Sequence, residues 1–318
     1  MIETISHHRP LMLGVVGDSA AGKTTLTQGL AALMGVSEAT LICTDDYHKY
    51  SREQRRGLNI TALHPDGNYL DIVGQHLDLL RQGQPVLKPV YDHETGLLEA
   101  PEYIRPNELV IVEGLLTLVT SAMQRCFDVT IYLDPEENLR RQWKVNRDTI
   151  ERGYRAEDVL ASIERRWLDS QTYIWPQKEV ADLVIRFYRS DDRAEWDNAH
   201  LNVQLVQHHT LPSPDLTALL AQSNSGQRPR LRLNKDVWTE NGLVDILEID
   251  GDISPQKARA LEELLWHQLA LSGHFRSENI GSYRESGTEH HSPPLALTQL
   301  LIAYYLLTVR TYRSVTYT

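Results

Sequence analysis

The sequence predicts an α/β fold, with a doubly wound, mainly parallel sheet and antiparallel strands added in the C-terminal part. Three observations predict it. Apolar strand-like runs alternate with helical patterns as far as Phe187, and a glycine-rich loop separates the first run from the first helix. After Tyr188 the runs shorten to LNVQLV, RLRLN and VDILEID, joined by polar stretches such as QSNSGQRPR. At 318 residues and 41% hydrophobic content the chain can bury a large core. We expect residues 1–190 to form the part carrying the site, and residues 191–318 to extend the sheet and add helices to the same domain.

The first strand, LMLGVV (Leu11 to Val16), is apolar throughout, as a strand buried on both faces is. It runs into GDSAAGKTT, in which a glycine, four residues and Gly-Lys-Thr follow one another. In this pattern the backbone N–H groups of Gly17, Asp18, Ser19, Ala20, Ala21 and Gly22 can cradle phosphate. Lys23 can reach outer phosphates, the Thr24 hydroxyl can bind Mg²⁺, and Thr25 opens a helix. A purely structural glycine turn is the alternative. The helix that follows, with Leu26, Leu30 and Leu33 at helical spacing, supplies the strand–loop–helix frame that the phosphate reading needs.

Further strands are expected at TLICTD (Thr40 to Asp45), LVIVEG (Leu109 to Gly114), VTIYLD (Val129 to Asp134) and LVIRF (Leu183 to Phe187). Ligands of an open parallel sheet gather at the carboxyl ends of its strands. The second run ends in Asp45 and Asp46, and the third in Glu113. A carboxylate on the third strand suits a magnesium ion, and one on the second suits proton acceptance from an attacking hydroxyl. Asp46 reads equally as a cap or turn former, whereas Asp45 stands nearer the strand end.

The fourth strand leads into DPEENLRRQWKVNRDTIERGYR. At about 100° per residue, Leu139, Trp143 and Ile150 share one face, and Arg141, Lys144, Asp148 and Arg152 the opposite one, flanked by Arg147. The apolar face should dock on the core, leaving the charged face to solvent or to a cleft as a basic lid. Toward the C-terminus we expect a helix from Pro255 to about Leu271, a flexible loop at SGTEHHSPP and a buried helix at PPLALTQLLIAYYLL.

A formal charge of −11 opposes nucleic-acid binding as the main role, so anionic ligands need a local basic pocket. Neither a signal peptide nor a membrane-length apolar run is expected, and two cysteines, Cys43 and Cys126, suit a reducing cytoplasm.

VVGDSAAGKTT, ICTDDYH, KPVYDHETGLLEAP, IVEGL, WKVNRDTIERGY and the segment Pro176 to Lys178 occur in the order seen in the phosphoribulokinase/uridine kinase family of P-loop kinases. The chain most resembles the family's plant and cyanobacterial phosphoribulokinase branch. That resemblance implies phosphorylation of the C1 hydroxyl of D-ribulose 5-phosphate by ATP with Mg²⁺, a Calvin-cycle step of carbohydrate metabolism. It implies Asp45 as general base, Glu113 and Thr24 as magnesium-associated, and Lys23 as the loop lysine. His48, Arg52, Tyr91 and His93 fall at sugar-phosphate positions, and Lys144, Arg147, Asp148 and Arg152 match the basic helix and lid. A homodimer is compatible with it. Expected partners are a small sugar phosphate, with neither nucleic acid nor membrane.

Two departures stand out. The plant-type loop carries a cysteine where this chain has Ala21, while Cys43 matches its redox partner. Leu116 stands where the family usually has histidine. A kinase of another small hydroxyl substrate, such as a nucleoside or a different sugar phosphate, therefore remains the alternative. A non-catalytic regulatory protein retaining the fold is a third.

Overall fold

The computed structural model describes residues 9–35, 39–190, 197–224, 229–269 and 280–316. In chain order its elements are β1 (Leu11–Gly17), α1 (Lys23–Met34), β2 (Ala39–Cys43), α2 (Arg52–Gly57), α3 (Leu70–Arg81), β3 (Val86–Tyr91), β4 (Leu98–Ile104) and β5 (Leu109–Gly114). There follow α4 (Ser121–Gln124), β6 (Val129–Leu133), α5 (Glu137–Ile150), α6 (Ala156–Asp169), β7 (Leu183–Tyr188), β8 (Asn202–His208) and α7 (Thr217–Ser223). The last are β9 (Leu231–Thr239), β10 (Gly242–Ile249), α8 (Pro255–Leu269), β11 (Ser282–Glu285), β12 (Thr288–His291) and α9 (Pro293–Thr316).

Eight strands form one sheet in the order β2-β5-β1-β6-β7-β8-β10-β9. The first five run parallel, and β8, β10 and β9 add to β7 antiparallel. The expected α/β sheet with antiparallel C-terminal strands is therefore present. β1 is buried at every residue because both of its faces carry a core. Leu13 and Val15 join the cluster of α1, α8 and α9, whereas Met12 and Val16 join that of α3 and Tyr132. On β8 the period-2 pattern is plain: Val203 and Leu205 are buried between half-exposed Asn202, Gln204 and Val206.

α9 is the buried helix that the apolar run predicts, with Leu297, Leu300, Leu301, Ile302 and Leu306 fully enclosed. Each such side chain contributes about 2 kcal/mol relative to exposure, so this helix is a major part of the core.

Three expectations need correction. The second strand stops at Cys43, and Thr44–Tyr47 forms a 3₁₀ turn instead. A close approach explains it: a Cβ on Gly114 would fall 1.8 Å from Thr44 Oγ1, so the turn packs directly on the end of β5. SGTEHHSPP is not a loop but β12 with the turn before it. Ser286 and Gly287 take φ of 52° and 81°, which suits the two-residue connection of a twisted hairpin. The helix from Pro255 is described to Leu269, and residues 270 and 271 lie outside the described part.

The third correction concerns α5. Ile150 is 51% exposed, while Lys144 and Asp148 of the charged face are buried with Leu139. The wheel identifies the faces correctly near Leu139, but a second layer covers the charged side. Arg141 remains outside, bound to Glu137 and Glu164.

Candidate active site

The loop after β1 turns through Ala20 and Gly22, at φ of 65° and 92°, before α1 begins at Lys23. The left-handed conformation at Gly22 is one that glycine adopts without strain. Lys23 Nζ donates to the carbonyls of Gly17 (2.9 Å) and Asp18 (3.1 Å), so the ammonium folds back over its own loop. Thr24 Oγ1 donates to Glu113 Oε1 at 3.0 Å. The two residues expected at magnesium thus meet, and their oxygens are the hard donors such an ion takes. Burial raises the Glu113 carboxyl above its ordinary range, against the pull of Lys23 and the Thr24 hydrogen bond.

Asp45 leaves the 3₁₀ turn with Oδ1 accepting from the Leu115 amide at 2.8 Å. Oδ2 has no partner among the described residues. Asp46 behaves differently, because Lys88 Nζ donates to it at 2.5 Å and the Tyr91 amide approaches its other oxygen at 3.4 Å. It is a tie to β3, which answers the ambiguity in the sequence.

Gln177 steadies Asp45 from behind. Its buried amide accepts from Leu118 N (2.7 Å) and donates to Leu115 O and Tyr173 O, both at 2.8 Å. The segment just after the amide that holds Asp45 is therefore fixed at Leu115 O and Leu118 N. Leu116 packs with Leu63, Leu115 and Ile174 in a small apolar cluster.

His48 is buried with Nδ1 2.6 Å from Asn68 Oδ1. Asn68 uses its amide nitrogen on Ala62 O and His64 O, so its oxygen is the acceptor. His48 consequently carries its proton on Nδ1 and keeps a bare Nε2. Burial, then the charge of Arg55, hold the imidazole down to about 4, so it is neutral at working pH.

Tyr91 meets the edge of His48 at 4.6 Å between ring centres, and His93 meets Tyr91 at 5.0 Å. The guanidinium beside them is not the one the sequence singled out. Arg55 is buried, donates to Tyr91 Oη at 2.7 Å and Tyr50 O at 2.9 Å, and has no carboxylate partner among the described residues. Arg52 instead donates to His93 O and Glu94 O, closing the Asp92–Gly96 turn. In REQRR three arginines lie within five residues. Only the later position, three along the helix, turns inward, a choice that tertiary packing makes.

The lid helix closes on the loop. Lys144 Nζ donates to Ser19 Oγ (3.1 Å) and Asp148 Oδ2 (2.8 Å). Asp148 also accepts from Arg147 Nε at 2.9 Å and lies 3.4 Å from Arg152 Nη1. Burial would raise the Asp148 carboxyl, but Arg147 and Lys144 outweigh it and hold it low. Burial brings Lys144 down to about 8. Arg140, which the sequence reading passes over, is also buried. It bonds Ser19 O at 3.0 Å and Glu137, and lies 3.8 Å from Asp18 Oδ1.

Both cysteines are free. Cys43 ends β2 and Cys126 stands before β6, with β5 and β1 between those strands. Three interstrand steps come to about 14 Å, double the Cα separation of about 7 Å that a disulfide tolerates.

The chain is similar to known proteins. The chain is 41% identical over 199 residues to a phosphoribulokinase of Synechocystis sp., an alignment covering 63% of this chain and 60% of that one. It is 38% identical to the chloroplastic phosphoribulokinase of Mesembryanthemum crystallinum, covering 55% and 48%. The chain thus spans about half to three fifths of the length of these relatives. A uridine kinase of Chloroflexus aurantiacus is 32% identical, over 55% of this chain and 86% of that one. Among solved structures, phosphoribulokinase from Rhodobacter spheroides superposes with a TM-score of 0.58 at 16% identity, covering 82% and 97%. That likeness is one of fold. The model of the phosphoribulokinase / uridine kinase family matches residues 12–194, which include the loop, both strand-end carboxylates and the lid, and the chain belongs to that family.

Proposed function

We propose that this protein transfers the γ-phosphate of ATP to the C1 hydroxyl of D-ribulose 5-phosphate. The observation that carries the reading is Arg55, a buried cation without a carboxylate partner among the described residues, beside Tyr91 and the bare Nε2 of His48. A buried unpaired charge is costly, and an acceptor bearing its own phosphate neutralises it. His48 and Tyr91 can then hydrogen-bond sugar hydroxyls, and the free oxygen of Asp45 takes the proton of the attacking one.

Phosphoryl transfer asks little covalent chemistry of the protein. Positioning and charge neutralisation do most of it. Lys23 and the backbone of Gly17 to Gly22 bind the nucleotide phosphates, and Lys144, Arg147 and Arg152 close over them through Asp148. Thr24 and Glu113 would hold Mg²⁺, which supplies charge neutralisation at the phosphates. Residues 1–190 carry this chemistry and residues 191–318 support it. A cytoplasmic setting agrees with the absence, among the described residues, of any helix long and apolar enough to cross a membrane.

One observation favours a second reading, a nucleoside kinase. The uridine kinase relative is spanned over 86% of its length, more than the phosphoribulokinases are. A panel of ribulose 5-phosphate, ribose 5-phosphate, glycerate and uridine with Mg·ATP, read by ADP release, tests both. Preference for uridine would overturn the sugar-phosphate reading, and no turnover with any acceptor would favour a regulatory role.

A further inference from the structure

α9 lies outside the family-matched residues, yet it reaches the nucleotide loop through one polar side chain. Gln299 is fully buried. Its Nε2 donates to Thr25 O at 3.2 Å, and its Oε1 accepts from Gly281 N at 2.8 Å. Both ends of the amide are therefore used, one on α1 and the other on the residue before β11.

The partner surface on α1 is shaped for it. A Cβ on Gly29 would fall 2.0 Å from Gln299 Nε2 and 2.4 Å from its amide carbon. Glycine inside a helix costs about 1 kcal/mol relative to alanine, so its presence at this position calls for a compensating contact. The Gln299 amide occupies the missing methyl's place. The side chains that α1 and α9 otherwise bring to this cluster, among them Leu26 and Leu30 of α1 and Leu300 and Leu301 of α9, are apolar. Apolar packing is non-directional and leaves a helix free to slide or rotate slightly. A hydrogen bond to Thr25 O is directional, and Thr25 follows directly on the two residues expected at phosphate and metal.

We infer that Gln299 is a positioning residue for the nucleotide loop: by holding the first turn of α1 through Thr25 O, it sets where Lys23 and Thr24 stand. The inference rests on the reading that this loop binds Mg·ATP. A magnesium site demands near-octahedral geometry at about 2.1 Å, so a displacement of a few tenths of an ångström at Thr24 weakens it. Among the described residues the hydrogen bonds of Gln299 go to Thr25 and Gly281 and none goes to the acceptor side, built on α2, β3 and the turn after β2, which is left alone.

The test uses the full chain with two substitutions. Gln299→Met keeps the length of the side chain and removes both polar ends. Gly29→Ala keeps glutamine at position 299 but puts a methyl where its amide sits, so the amide must move off Thr25 O. Mg·ATP binding is measured by calorimetry without acceptor, and KM for ribulose 5-phosphate is measured at saturating Mg·ATP. Both variants are expected to bind Mg·ATP about five- to tenfold more weakly and to need more Mg²⁺, with the acceptor KM within twofold of wild type. Unchanged Mg·ATP affinity in a folded Gln299→Met protein overturns the inference. So does a parallel loss of both ligands that tracks a fall in Tm, since a merely structural role predicts that pattern. A wild-type protein that binds no Mg·ATP would instead remove the nucleotide reading itself.

Discussion

The Leu115 amide donates to Asp45 Oδ1 across 2.8 Å and so commits one carboxylate oxygen to the scaffold, leaving the other for chemistry. Asn at position 45 can still accept that bond through its own oxygen. Asp45→Asn is therefore expected to keep the fold and near-normal ATP affinity while turnover falls by roughly two orders of magnitude or more. Stopped-flow or coupled ADP assays decide this, and near-normal turnover would remove Asp45 from the proton transfer.

Arg55 and Arg52 make opposite predictions from neighbouring positions. Arg55→Met should weaken binding of a phosphorylated acceptor by about 1.5 to 3 kcal/mol, and Arg55→Lys should not fully restore it, for want of the planar fork. Arg52→Ala should act less directly, by loosening the Asp92–Gly96 turn. Circular dichroism separates misfolding from lost affinity. Equal acceptor KM values in wild type and a folded Arg55→Met would return Arg55 to a packing role.

Lys144 gives the lid a pH dependence. Burial holds its ammonium down to about 8, so the charge is present below that pH and is lost as pH rises through it. kcat/KM should fall on the alkaline side near pH 8. Lys144→Arg, which stays charged, should move that limb upward even if its maximum is lower. An identical alkaline limb in both proteins would show that another group governs it.

The frame of this site is legible in the sequence because local rules set it. A phosphate loop between strand and helix, and carboxylates at strand ends, follow from chain direction and the parallel sheet. What escaped was settled by packing across long separations. Arg55 and Arg52 are indistinguishable by composition, and only the β3–β4 hairpin decides which one turns inward. The wheel leaves Lys144 and Asp148 to solvent or to a cleft, and only the contact of Lys144 with Ser19 of the loop decides between them. Gln177 looked like part of a motif with no stated role, because its three hydrogen bonds reach residues 59 and 62 positions back and four positions back.

The thiols predict insensitivity to mild oxidation. Activity after incubation with oxidised or reduced dithiothreitol should be equal, with thiols counted in parallel. Reversible loss of activity with loss of both thiols inside one monomer would contradict the strand separation between Cys43 and Cys126.

The contact between Gln299 and Thr25 joins residues 274 positions apart. During synthesis, α1 emerges early with an apolar flank that nothing yet covers, and it stays uncovered until α9 has been made. At roughly 5 to 20 residues per second that interval is tens of seconds, long enough for an exposed helix face and unpaired parallel strands to meet other chains. The nucleotide loop is thus made long before the helix that steadies it, and the nascent protein should depend on a holding chaperone throughout that interval.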